Sequence, residues 1–386
     1  MSHSQVTEAL AARTGTSAED WFCVLKARSA MELCFRVLRE VRGPGSVLTQ
    51  VFTCATAVDP VLVAGLTPRY GEVHPDTLAL DPERLELPTD VRAVVVQHTF
   101  GMVDDGATGR LRDAAHRAGA LLLEDSAHAV TRFARSGGAP LADVSVHSFG
   151  AEKLLPTKFG GAVWVDPNLD PTIRGPLVAA LSELPAMSLR LRLAVRSYRN
   201  QLRVLSRMPG ALAGPVRGVL TRLGLHDPPV APVERAGRLA HPPLRPSSWV
   251  LDSMARALAW SGDVQARRAA TVAVYARELA GLELPGGAAH GPLVRFPLYA
   301  PDAETAEHLV ATLAGHGVPA GRWYRPALFP GPTDPALYAY EPGTLPVTED
   351  LVARVVNLPT TVGPKEAARV AGIVRSVIDP GGSAGS

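Results

Sequence analysis

Two residues in this chain have the type and placement for imine chemistry. Asp125 closes the apolar stretch ALLLED, and Lys153 lies just past a second one, VSVHSF. In an open α/β sheet, ligand chemistry collects beyond the carboxyl ends of the strands. A lysine amine there can bond an aldehyde, and a carboxylate can pair with a protonated ring nitrogen. That pairing suits pyridoxal phosphate. With such a ring, Asp125 would keep the nitrogen protonated, and Lys153 would move a proton as general base and then acid.

The elements that position these groups read as alternating strands and helices. Ser29-Ala30-Met31-Glu32 has the spacing of a capping box. It opens an apolar pattern at Met31, Cys34, Phe35, Leu38 and Val41 that stops at Gly43. That predicts a helix whose free N–H groups can hold a phosphate. Strands are expected at Val47–Phe52, Thr67–Val73 and within Val91–Gly101, then at ALLLED, VSVHSF and GGAVWV. Helices are expected ending at Leu66 and spanning Ala107–Ala118. The continuous apolar runs indicate strands covered on both faces, and the alternation indicates a mostly parallel sheet. Further on, Trp249–Leu282 reads as a long helix with a break at Gly262. Leu293–Leu298 reads as a strand, Ala303–His316 as a helix and Leu351–Val356 as a helix end.

A chain of 386 residues suits a large domain plus a smaller one. We expect a cofactor-binding domain over 1–240, a smaller α+β domain over 241–380 and a flexible tail at 381–386. A formal charge of +2 does not point to nucleic acid. Three cysteines form no disulfide framework, which fits a reducing, cytoplasmic setting. The N-terminal stretch has no signal-peptide pattern, and no apolar run is long enough to span a bilayer. Paired zinc-ligand spacing is missing, so no metal is expected.

One segment differs in character. Between Glu183 and Asp227 there is no acid, while Arg190, Arg192, Arg196, Arg199, Arg203 and Arg207 alternate with Leu and Val. This predicts basic amphipathic helices over about 184–226. An arginine-faced helix lying on the body is the first reading. Docking of an anionic substrate or carrier is a second, and contact with an anionic membrane surface is a third.

Taken in order, the blocks GPGSVLTQVFTCATA, the phrase DTLALDP, VVVQHTFG, LLLEDSAHAV and SFGAEKLLPTKFGGAV resemble the DegT/DnrJ/EryC1/StrS family of sugar aminotransferases. The resemblance runs from about Ser29 to Val165 and returns weakly in the last third. It implies a fold-type-I pyridoxal-phosphate enzyme. Such an enzyme is a cytoplasmic homodimer that moves an amino group from an amino acid to a keto sugar, often nucleotide-linked, or to a cyclitol ketone. By this resemblance Lys153 is the lysine that carries the cofactor, with Lys158 as its rival, and Asp125 is the ring-nitrogen partner. His128 lies beside the ring, and Ser148 binds the phosphate. Ser29 and Ala30 stand at the phosphate-binding turn, and Tyr324 and Arg322 stand near substrate.

Some positions depart from the family pattern. Cys54 stands where an aromatic ring usually stacks on the cofactor. Arg28 replaces a glycine, as either a phosphate contact or a surface residue. Pro243 replaces an asparagine that reaches the partner's phosphate, with Ser247 or Ser248 as substitutes. These departures leave open a different pyridoxal-phosphate reaction, such as elimination, epimerisation or C–C bond formation, or an inactive family member.

Overall fold

Seven strands form the central sheet of the computed structural model, which describes residues 3–379. In chain order they are β1 Trp21–Val24, β2 Ser46–Thr49, β3 Thr67–Tyr70, β4 Val91–Gln97, β5 Leu121–Ser126, β6 Val144–Ser148 and β7 Gly161–Val165. Their spatial order is β1-β7-β6-β5-β4-β2-β3. Strand β7 runs antiparallel to both neighbours, β6 and β1. The pairs β2–β3, β2–β4, β4–β5 and β5–β6 are parallel. The expected mixed, mostly parallel sheet is therefore present. The tail at 381–386 lies outside the described residues.

Both faces of the sheet are covered, which explains the unbroken apolar runs. Leu121 and Leu123 pack with Met31, Cys34, Phe35 and Leu38 of helix α2 (Ala27–Arg42). Leu122, between them, packs with Leu111 and Ala115 of helix α4 (Asp105–Arg117) on the other face. Helix α1 (His3–Thr14) and β1 were not visible in the sequence pattern. Helix α1 has few apolar residues, and β1 is a fully buried stretch of four.

Three local readings need correction. Helix α2 starts two residues before Ser29, because Ala27 and Arg28 are good helix formers and extend it. Ser29 therefore sits inside the first turn, and its N–H bonds Lys26 O at 3.0 Å. The expected break in Trp249–Leu282 is present but falls at Trp260 rather than Gly262, between α8 (Ser248–Ala259) and α9 (Ser261–Glu278). The stretch after Leu351 leaves helix α11 (Pro346–Arg354) and becomes a strand, Val355–Pro359, whose β-branched start pairs antiparallel with Arg295–Tyr299. This ribbon shares one apolar core with α9, α10 (Ala303–Gly315) and α12 (Pro364–Ile378), built on Tyr275, Phe296, Leu309, Leu358 and Val370. Helix α8 packs instead with α1 and β7.

The sheet also carries a buried polar network. Glu124, fully buried, accepts from Ala134 N at 2.7 Å and contacts His98 Nε2 at 2.7 Å. Burial pushes the His147 imidazole down to about 4, so it is neutral. Its Nδ1 accepts the Thr131 N–H at 3.2 Å, so Nε2 carries the proton and donates to Ser145 Oγ at 3.1 Å. Ser145 in turn donates to Glu124. Burial acts to raise the Glu124 carboxyl, but the His98 field and these hydrogen bonds outweigh it and hold it below its ordinary 4.5. The network ties β5, β6 and the residue after β4 to the loop after β5. Glu124→Ala should cost about 3–5 kcal/mol at pH 7 in denaturant unfolding, since it leaves His98 and Ser145 buried without their partner. The stabilisation is full above the ordinary glutamate value and is lost as pH falls through the depressed one. The gap between variant and wild type should therefore narrow in acid.

Candidate active site

Strand register brings the chemical groups to one edge. Gln97 pairs in register with Asp125, and Asp125 with Val146, so β4, β5 and β6 end together. Beyond those ends lies a cavity of about 500 Å³ lined by Gln97, Asp125, Ser148 and Lys153. The start of α2 forms one wall with Lys26, Ala27 and Arg28. Its close approach requires Gly161, because a Cβ there would lie 2.6 Å from Ala27 N. Trp323, Tyr324 and Phe329 come from the C-terminal part of the chain, and Tyr198 and Pro228 from the segment after β7.

Asp125 and Lys153 are each other's leading charge partner. Burial raises the Asp125 carboxyl, and the Lys153 ammonium is the largest effect opposing it. Burial lowers the Lys153 amine, opposed first by Asp125 and then by Cys54. Asp125 Oδ1 also accepts the Ala127 N–H at 2.9 Å, which fixes its orientation. The rival Lys158 also lines the cavity.

His128 is held from two sides. Its Nδ1 accepts the Phe100 N–H at 3.1 Å, and its Nε2 lies 3.3 Å from Tyr324 Oη. Burial first, and the Lys153 charge second, push the imidazole well below its ordinary value, so the ring is neutral. With Nδ1 accepting, Nε2 bears the proton and donates to Tyr324 Oη. Burial keeps the Tyr324 phenol protonated by raising it well above its usual range. The Tyr324 proton is thereby free to point at an acceptor in the cavity. Trp323 stacks on His128 at 5.5 Å with an interplanar angle of 7°.

The remaining expected residues divide. Ser148 and Cys54 lie on the wall; Ser148 Oγ accepts the Gly150 N–H at 3.2 Å, and Cys54 Sγ accepts from Thr56 Oγ1 at 3.0 Å. Ser29 and Ala30 are buried behind the wall, and Ala27 and Arg28 take their place on it. The first N–H groups of a helix lack intrahelical partners, so the cavity-side donors are those of Ala27 and Arg28. Arg322 is not on the cavity; it pairs with Glu307 at 2.6 Å on the surface. Arg28 holds buried Glu234 at 2.6 Å. Leu244, in the segment carrying Pro243, accepts the Leu25 N–H at 2.9 Å. Ser247, at the start of α8, makes no capping bond.

A model of the DegT/DnrJ/EryC1/StrS aminotransferase family matches residues 7–184 and 255–376. The chain belongs to that family. Among curated relatives, the spore coat polysaccharide biosynthesis protein SpsC of Bacillus subtilis (strain 168) is 33% identical over 128 residues, 32% of each chain. The L-glutamine:2-deoxy-scyllo-inosose aminotransferase of Streptomyces kanamyceticus is 31% identical over 153 residues, covering 33% of this chain and 34% of that one. The match thus spans about a third of each relative's length. The crystal structure of an aminotransferase, TlmJ, from Streptoalloteichus hindustanus superposes with a TM-score of 0.68 at 22% identity, covering 98% of this chain and 92% of that one. That likeness establishes the fold.

Tyr198, Trp323 and Gln97 were not singled out in the sequence. Tyr198 does follow the buried stripe Leu191-Val195-Tyr198 along its helix, a signal that the arginines obscure. Beside the cavity, Asp59 accepts from Tyr338 Oη at 2.5 Å, and burial pushes its carboxyl up to about 8. A carboxyl raised on folding binds more protons in the folded state, so its effect is to lower stability as pH rises from about 4 to about 8. Asp59→Asn removes that loss while keeping an acceptor for Tyr338. Urea midpoints at pH 5 and pH 8 should show the variant gaining about 2–4 kcal/mol on wild type across that interval.

Proposed function

We propose that this chain is a pyridoxal-phosphate-dependent aminotransferase that moves an amino group from an amino acid to a polyhydroxylated cyclic ketone. That acceptor is a keto sugar, nucleotide-linked or free, or a cyclitol ketone. The carrying observation is that Lys153 and Asp125 line one cavity at the strand ends and are each other's leading charge partner. Membership of an aminotransferase family supports the reaction class. The Streptomyces relative, named for an inosose, supports a cyclic ketone.

The donor set fits the cofactor. Lys153 Nζ would bond its aldehyde, and Asp125 would hold the proton on its ring nitrogen. The N–H groups of Ala27 and Arg28 at the start of α2, with Ser148 Oγ, would take its phosphate. His128 and Cys54 would flank the ring. When bound, the cofactor supplies an electron sink for the pair left by Cα–H cleavage. The chain's own groups do the rest. Lys153 Nζ takes the proton as a base and returns it as an acid, and burial lowers its amine toward that task. Tyr324 Oη, fixed by His128, donates to an oxygen of the substrate. The expected homodimer and the assignment of 1–240 and 241–380 as separate domains are parts of the same proposal.

Protein reconstituted with pyridoxal phosphate should lose its visible cofactor band on adding L-glutamate or L-glutamine, and regain it with a keto-sugar or cyclitol-ketone acceptor. Lys153→Ala should slow donor bleaching by at least about 10²–10⁴-fold. A band untouched by every amino donor would instead favour elimination, epimerisation or C–C bond formation.

A further inference from the structure

The segment after β7 forms two helices, α6 (Leu189–Leu205) and α7 (Gly210–Arg222), and it falls within the 185–254 stretch that the family model leaves unmatched. Helix α6 lies on the body through Leu191, Val195, Tyr198 and Leu205, as the first reading expected. Its opposite stripe is Leu189, Leu193, Arg196 and Val204, all exposed, with exposed Arg207 just beyond its end. Helix α7 buries no residue at all. Its apolar stripe, Leu212, Val216, Val219 and Leu223, recurs at spacings of four, three and four. Along the same helix Gly210, Gly214 and Gly218 have open space where a Cβ would stand.

Of the ten exposed large apolar side chains among the described residues, six lie here, each between 52% and 65% exposed. Eight arginines lie between Arg190 and Arg222, all exposed, and none is paired with an acid among the described residues. The chain has 39 basic and 37 acidic residues. This short stretch holds eight of the former and none of the latter, so the remainder of the molecule is net acidic. A second copy of the chain would meet this face mainly with its own arginines if the contact were two-fold and centred here.

We infer that α6 and α7 dock this protein on the surface of an anionic lipid bilayer. Basic side chains collect at a negative headgroup layer, while apolar side chains between them enter the headgroup–acyl boundary. A helix rich in leucine, valine, glycine and arginine that touches little of its own protein fits that boundary and no feature of the body. No helix among the described residues is long and apolar enough to cross a membrane, so the contact lies in the interface plane. Tyr198, on the inner stripe of α6, lines the cavity, so the docked helix also walls the proposed active site. The docking inference itself does not depend on the transaminase reading.

The test mixes the full-length protein with vesicles of phosphatidylcholine alone or with added phosphatidylglycerol and measures bound protein by sedimentation. Partition to the anionic vesicles should be at least about tenfold stronger and should weaken as salt rises. Arg192→Glu with Arg199→Glu should lower it about tenfold. Leu212→Asn with Val219→Asn, which leaves charge intact, should also lower it about tenfold, with an unchanged melting temperature. Equal partition to both vesicle types would overturn the inference. So would a change in oligomeric mass in the Leu212/Val219 variant, which would assign the face to a second copy. Retention by an acidic carrier protein without vesicle binding would also overturn it.

Discussion

The site depends on the electrostatic coupling of two opposite charges on one cavity wall, buried Asp125 and half-buried Lys153. Enclosure alone would strip the charge from both Asp125 and Lys153, and each offsets that tendency in the other. A pair of this kind is costly to leave half-formed, because a lone buried charge keeps its desolvation penalty. A cation placed against Asp125 can take over the neutralising role of the Lys153 ammonium. The amine then becomes free to exist as a base. In the function proposed above, that cation is the protonated ring of the cofactor.

The backbone holds that pair by using both faces of one strand. Side chains alternate along β5, so Asp125 faces the cavity while Glu124 points into the polar network on the other side. His98, Ser145 and Ala134 hold Glu124, and through it the strand end and the following loop. Around the cavity, further ties bring in sequence-distant parts. Arg28 reaches Glu234 in the segment between α7 and α8, and Tyr338 reaches Asp59. Tyr324 meets His128 across 196 positions of sequence. The cavity wall is thus assembled from segments with little in common except where they end.

Legibility in the sequence followed the range of the determining contacts. The parallel strands were readable because two-sided burial writes itself as unbroken apolar runs; Asp125 closes one of them and Lys153 follows another, while His128 and Ser148 were singled out only through the family resemblance. Ser29 was misplaced by a local pattern. Its spacing to Glu32 matches a capping box, but the helix begins earlier and Glu32 lies instead beside Arg36 at 3.6 Å. Arg322 and Tyr324 looked equivalent in one short loop, yet the long arginine side chain finds Glu307 on α10 while the tyrosine turns inward. Strand β1 and the Val355 strand were not legible because a strand of four or five residues beside a helix pattern carries no period of its own. Tyr198 was hidden by the charges on its own helix.

Reduction with borohydride of the protein loaded with pyridoxal phosphate, followed by peptide mass spectrometry, tests the central claim most directly. Hydride fixes the cofactor to whichever amine has bonded its aldehyde. The account predicts the label on the peptide bearing Lys153, with Asp125→Asn sharply reducing its yield. Label on Lys158, or scattered over surface lysines regardless of residue 125, would contradict it.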